Sequence, residues 1–129
     1  MRAEIARHKR PRGPFDIKLG PGGLVDLEFA VHTLQLTHRV GLVPRLSEAI
    51  GALAAAGLVP PETADAHRLL TRLLVTLRLV APDSAEPPPA SRDLVARACG
   101  TEGWEELLAA HEDARQTVSL LWGQVTKVV

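Results

Sequence analysis

The chain has 129 residues, enough for one domain with a single core and no crosslinks. Its 15 lysines and arginines balance 15 aspartates and glutamates, so it lacks the basic excess of a nucleic-acid-binding domain. One cysteine, Cys99, excludes an internal disulfide and fits a reducing, cytoplasmic setting, and no apolar run reaches the roughly 18 to 20 residues that span a bilayer.

Residues 1–14 read as the end of a preceding helix and a basic linker. Ala3, Ile5 and Ala6 give Met1–Lys9 too little apolar surface to hold a terminal helix alone, and Pro11-Arg12-Gly13-Pro14 stops it. The cations Arg7, Lys9, Arg10 and Arg12 read as solvated. Next comes Phe15 to Leu19, where Asp16 and Lys18 alternate with apolar residues as in a short extended segment. Gly20-Pro21-Gly22-Gly23 then makes a glycine-rich turn, the kind that lets backbone N–H groups approach a ligand where no Cβ intervenes. It is neither a Walker loop nor a dinucleotide fingerprint.

A first main helix is predicted over 24–40. Leu24, Leu27, Val31, Leu34 and His38 form its core face, with Asp26, Glu28, His32, Gln35 and Arg39 off it. The acids Asp26 and Glu28 suit the positive end of the helix dipole. Glu28 and His32 share a face four residues apart, but a lone pair lacks the third ligand of a zinc site. Gly41 ends this helix. Pro44 opens a second, to about Ala56, with Leu46, Ile50 and Leu53 inward and Gly57 as its C-terminal cap.

Pro60-Pro61 starts a third helix that runs to about Val80. It is apolar over so wide an arc (Leu69, Leu70, Leu73, Leu74, Leu77) that it should be central, with Arg68, Arg72 and Arg78 on its solvated edge. After the loop Pro82–Ala90, Ser91 should cap a short helix to Cys99, itself a small buried residue, closed by Gly100. The last helix spans 104–127. Its seam of Leu107, His111, Ala114, Val118, Leu121 and Val125 suits a bundle, with Glu105, Glu106, Glu112, Asp113 and Arg115 outside and His111 as a hydrogen-bonded core histidine. The fold expected over 15–129 is all-α: an antiparallel four-helix bundle with a short extra helix and the glycine-rich turn at its front.

The string Asp16-Ile17-Lys18, Gly20, Gly22-Gly23-Leu24-Val25-Asp26-Leu27-Glu28-Phe29 resembles the D-L-K-x-G-x-G-G-I-V-D-I-E-F signature of bacterial glutamine synthetase adenylyltransferase/adenylyl-removing enzymes. A looser version occurs in the PII uridylyltransferases, and a looser likeness continues to about Val125. The resemblance implies an accessory helical domain that follows a nucleotidyltransferase domain. The intact enzyme transfers AMP from ATP to a tyrosine of glutamine synthetase and removes it by phosphorolysis, and so regulates nitrogen assimilation. The family's Gly-Ser turn and D-x-D carboxylates, which hold Mg²⁺ against the triphosphate, are absent from this sequence. The fragment is therefore expected to be inactive alone and to bind neither Mg²⁺ nor ATP itself, and no residue is assigned a catalytic or metal-binding role.

Partners implied are the upstream nucleotidyltransferase domain, glutamine synthetase and the PII signalling protein, with no nucleic acid and no membrane. The C-terminal, adenylylating half of the two-headed enzyme is the expected source. Asp16, Lys18, Gly20, Gly22, Gly23, Asp26 and Glu28 match the family string and are the candidate site, either as an inter-domain latch or next to the nucleotide, with Lys18 offering a cation to a phosphate. The sequence departs from the family at His32, where glutamine is frequent, and at Leu73-Leu74-Val75-Thr76-Leu77-Arg78, where a more polar stretch is expected. Two further readings are a free-standing helical interaction module without catalysis, and a metal enzyme built on Asp26, Glu28, His32 and His38.

Overall fold

The computed structural model describes residues 15–81 and 85–128, with side chains through Thr126. The expected helix over Met1–Lys9 and the basic linker lie outside those residues. Five helices and no strands occur among the described residues: α1 Leu24–His38, α2 Leu46–Ala55, α3 Glu62–Val80, α4 Pro89–Ala98 and α5 Trp104–Val128.

Helix α3 packs on each of the other four helices, as its wide apolar arc predicts. Leu70, Leu73 and Leu77 are buried along it, against Leu27 and Val31 of α1, Ile50 and Leu53 of α2, Val95 of α4, and Leu107, Val118 and Leu121 of α5 in one cluster. The whole predicted seam of α5, from Leu107 through His111, Ala114, Val118 and Leu121 to Val125, is buried. Cys99 is buried too, and burial pushes its thiol pKa up against the opposing effects of Thr76 and Arg72.

The helix ends follow local chemistry. Behind α2, Gly57 takes a left-handed φ of 75°, its N–H donates to Ala54 O, and Leu58 N–H donates to Leu53 O. Behind α4, Gly100 (φ 83°) donates to Arg97 O and Thr101 N–H to Ala96 O. Both satisfy carbonyls that a helix end leaves open.

Several expectations need correction. Phe15–Leu19 is a run of turns, because Asp16 Oδ1 accepts the Leu19 N–H at 2.9 Å and Gly20 N–H donates to Asp16 O at 2.8 Å. Helix α1 stops at His38 because Arg39 turns left-handed (φ 54°), which leaves His38 exposed instead of on the core face. Asp26 and Gln35, placed off the core stripe by periodicity, are buried, since each side chain bonds backbone beyond its own helical turn. Helix α4 begins at Pro89, not after Ser91: the ring fixes a helical φ at the first position, and Ser91 N–H donates back to Pro88 O.

Candidate functional site

The matched string folds across α5. Phe15 leads, its ring stacked on His111 (centroids 6.1 Å apart, 19° between planes) and tilted against Trp104 at 5.7 Å. Arg92 of α4 lies over the other ring, 5.6 Å from the Trp104 centroid, and its Nη2 pairs with Glu86 at 3.2 Å. His111 is thus a core histidine set against an aromatic ring. Its pKa falls to about 4 because burial, helped by Arg115, disfavours the imidazolium, against a smaller opposing pull from Glu112.

Past Phe15 the chain plugs Ile17 into the core, 2% exposed, and coils on itself. Gly23 N–H donates to Gly20 O (2.9 Å), Leu24 N–H to Ile17 O (3.0 Å) and Val25 N–H to Lys18 O (3.0 Å). The first amides of α1 are therefore satisfied by carbonyls of the preceding turn, in place of a side-chain cap. The Gly22 N–H is taken by Asp26 Oδ2 at 2.8 Å, a buried bond from the first turn of α1 back into the loop. Arg115 of α5 closes the arrangement by donating from Nε to Pro21 O at 3.0 Å.

The glycines are needed for close approach as much as for dihedral freedom. Gly22 holds φ 72° with its α-carbon against α5. A Cβ there would stand inside contact distance of the Arg115 carbonyl oxygen and 2.7 Å from Ser119 Oγ. A Cβ on Gly20 would be 2.7 Å from Asp16 O, and one on Gly23 would be 2.8 Å from Gly20 O. Real Cβ atoms essentially never come that close, so only glycine fits this fold of the string.

The seven candidate residues thus separate into two groups. Asp16, Gly20, Gly22, Gly23 and Asp26 build the turn, and the amides of Gly20, Gly22 and Gly23 are all spent on internal bonds. Lys18 and Glu28 are exposed. Glu28 acts across to α3, where it partly offsets the burial that lowers the pKa of His67. The set Asp26, Glu28, His32 and His38 is not drawn together: His32 Nδ1 instead meets Gln35 Oε1 at 2.9 Å, and no group of three or more metal-ligating side chains forms among the described residues. No helix there is long and apolar enough to cross a membrane.

Sequence periodicity missed three contributors. Spacing puts Arg115 on the solvated outside, Gln35 on an off-core face and Phe15 in a strand-like alternation. Arg115 and Phe15 act through partners distant in sequence, and Gln35 through carbonyls of the loop just beyond its helix; helical spacing carries no signal for either.

A family model described as GlnD PII-uridylyltransferase matches residues 1–126. The chain belongs to this family. It is similar to proteins named bifunctional glutamine synthetase adenylyltransferase/adenylyl-removing enzyme, with 36% identity over 116 residues to that of Brucella suis (83% of this chain, 12% of the relative). The Caulobacter vibrioides protein of that name is 35% identical over 117 residues (83% and 12%). That of Xanthomonas axonopodis pv. citri is 37% identical over 129 residues (91% and 13%). The chain therefore spans about an eighth of the length of these curated relatives, and the likeness carried by the glycine string extends along most of this chain.

Proposed function

We propose that this chain is the accessory helical domain of a glutamine synthetase adenylyltransferase, and that the Phe15–Phe29 string is its latch onto the nucleotidyltransferase domain. One observation carries the reading. The amides of the turn glycines Gly20, Gly22 and Gly23 are consumed internally, while the string's two long charged side chains, Lys18 and Glu28, are left at the surface. A phosphate cradle would leave N–H groups open. A docking latch needs a stiff backbone with charged groups at its rim, which is the arrangement present. Consecutive helices joined by short connectors and packed on one another support an antiparallel four-helix bundle of α1, α2, α3 and α5, with α4 as the extra short helix.

In this reading the residues of the chain do no covalent chemistry. ATP and Mg²⁺ belong to the catalytic domain, where metal-held phosphates supply the electrostatics of AMP transfer to glutamine synthetase and of its phosphorolytic removal. The bundle's part is to hold that domain in register with its protein substrate in the cytoplasm, and the PII signalling protein is a further partner. Lys18, at the latch rim, is the group positioned to meet a phosphate if the docked face borders the nucleotide.

The test uses the intact enzyme. Gly22→Ala should lower AMP transfer at least tenfold while the catalytic domain still binds ATP; full transfer would sink the latch. Lys18→Ala should raise the apparent KM for ATP if the rim reaches the nucleotide, and unchanged kinetics would leave positioning alone. A protein of this family that binds a partner tightly with no catalytic domain attached would favour the interaction-module reading.

A further inference from the structure

At Phe15 the chain meets the bundle in a slot one ring deep. Trp104 and His111 stand two turns apart on α5, about 10.5 Å along the helix axis. The Phe15 ring lies between them, 5.7 Å from the Trp104 centroid and 6.1 Å from that of His111, and within 19° of parallel to the imidazole. Burial keeps that imidazole uncharged at neutral pH, so it offers Phe15 an apolar face. The Trp104 wall is braced from α4. Arg92 lies 5.6 Å from its centroid, pairs with Glu86 at 3.2 Å and donates from Nε to Pro87 O at 3.1 Å.

The core closes without this slot. Ile17 is the side chain of the segment that fills the interior, whereas Phe15 and Trp104 are half-buried and pack on the rim of the buried cluster. What the slot fixes is a direction. Immediately after Phe15 the backbone turns, with Asp16 Oδ1 accepting the Leu19 N–H and Asp16 O the Gly20 N–H. The ring itself is tied to α4 and α5, which lie far along the chain. Residue 15 is thus held both at its side chain and at the backbone that follows it. A body joined a short distance upstream starts from that fixed point.

The slot and the glycine turn use different parts of α5. Arg115 and Ser119 face Pro21 and Gly22, and Trp104 and His111 face Phe15. One can be loosened without the other.

We infer that Phe15, gripped between Trp104 and His111, is a positioning residue for AMP transfer that sets the angle at which the upstream nucleotidyltransferase domain meets the bundle. This rests on the function proposed above. A displacement of about 1 Å at the reacting groups costs on the order of a hundredfold in rate, so a change of angle is read in kcat and not in ATP binding.

The experiment measures AMP transfer to glutamine synthetase by the intact enzyme in four forms: Phe15→Ala, Phe15→Tyr, an insertion of two glycines between Gly13 and Pro14, and the insertion combined with Phe15→Ala. Each is assayed well below the melting temperature that circular dichroism gives for it. Phe15→Ala should lower kcat at least about tenfold with the KM for ATP unchanged. Phe15→Tyr should restore kcat, because it keeps the ring and its hydroxyl can reach water from a half-exposed site. The insertion should cost as much as Phe15→Ala, and the two together no more than either, because both release the same restraint. An unchanged kcat for Phe15→Ala, an insertion without effect, or losses that multiply would each overturn the assignment and leave Phe15 as rim packing. The latch is read separately, by Gly22→Ala in the same assay, so either reading can fail while the other stands.

Discussion

The same substitution, glycine to alanine, should have three different outcomes at Gly22, Gly57 and Gly123. Gly22 has a left-handed φ of 72° and no room for a Cβ, which would press on the backbone oxygen of Arg115 and on Ser119 Oγ. Gly57 has the same backbone hand, φ 75°, but open space around the missing Cβ. Gly123 lies inside α5 with no atom within 4 Å of a Cβ and no left-handed φ. A left-handed residue with a side chain costs about 1–2 kcal/mol, and forcing atoms into a packed site adds about 1–3 kcal/mol. Gly57→Ala should therefore lose about 1–2 kcal/mol and Gly22→Ala about 2–5 kcal/mol, while Gly123→Ala should gain about 0.5–1 kcal/mol from helix propensity. For a chain of this size 1 kcal/mol moves Tm by about 3–5 °C. Thermal and urea melts of the chain followed by circular dichroism would show Gly123→Ala above the parent, Gly57→Ala below it and Gly22→Ala lowest. If Gly22→Ala melted with Gly57→Ala, the string would not be pressed on α5, and the rigid latch would go with it.

Three further outcomes follow from buried polar groups. Asp26→Ala removes the acceptor of the buried Gly22 N–H and should cost about 1–3 kcal/mol in a urea melt; a loss under about 0.5 kcal/mol would mean the bond is not made. Thr63 is fully buried and its Oγ1 has no hydrogen-bond partner, so Thr63→Val should leave stability unchanged or raise it by about 1 kcal/mol, whereas a clear loss would reveal a partner for the hydroxyl. His111, with its pKa lowered to about 4 from 6.5, binds its proton more readily in the unfolded chain. Its contribution is complete above about pH 7 and is lost as pH falls from 6.5 towards 4, by up to about 3 kcal/mol. Melts at pH 8 and pH 5 should therefore show a smaller drop for His111→Leu than for the parent, and equal drops would refute the buried neutral histidine.

How far the sequence is legible depends on the range of the interaction that decides each feature. The seam of α5 and the cap at Gly57 depend on residues a few positions apart, and the structure places them where spacing puts them. Periodicity failed at Asp26 and Gln35, whose polarity suggests solvent while their partners are backbone groups of the flanking loops. It failed again at Phe15–Leu19, where alternation mimics a strand but Asp16 closes a turn on the Leu19 amide. In both stretches a side chain substitutes for a hydrogen-bond partner that regular structure would have provided, and hydropathy spacing does not register such a substitution.

These exceptions share a cause that bears on function. Asp26 and Gln35 lie near opposite ends of α1, and each reaches out of its helix to fix the loop beside it, one into the glycine turn and the other into the Arg39–Val43 corner. Burying two polar side chains on one 15-residue helix sacrifices apolar core that leucine would supply at either position. A fold selected only for stability has little use for that exchange. What it yields is two stiff loops about 22 Å apart on one rod. One carries Lys18 and the other Leu42, each exposed on a backbone that a buried polar side chain of α1 holds in place.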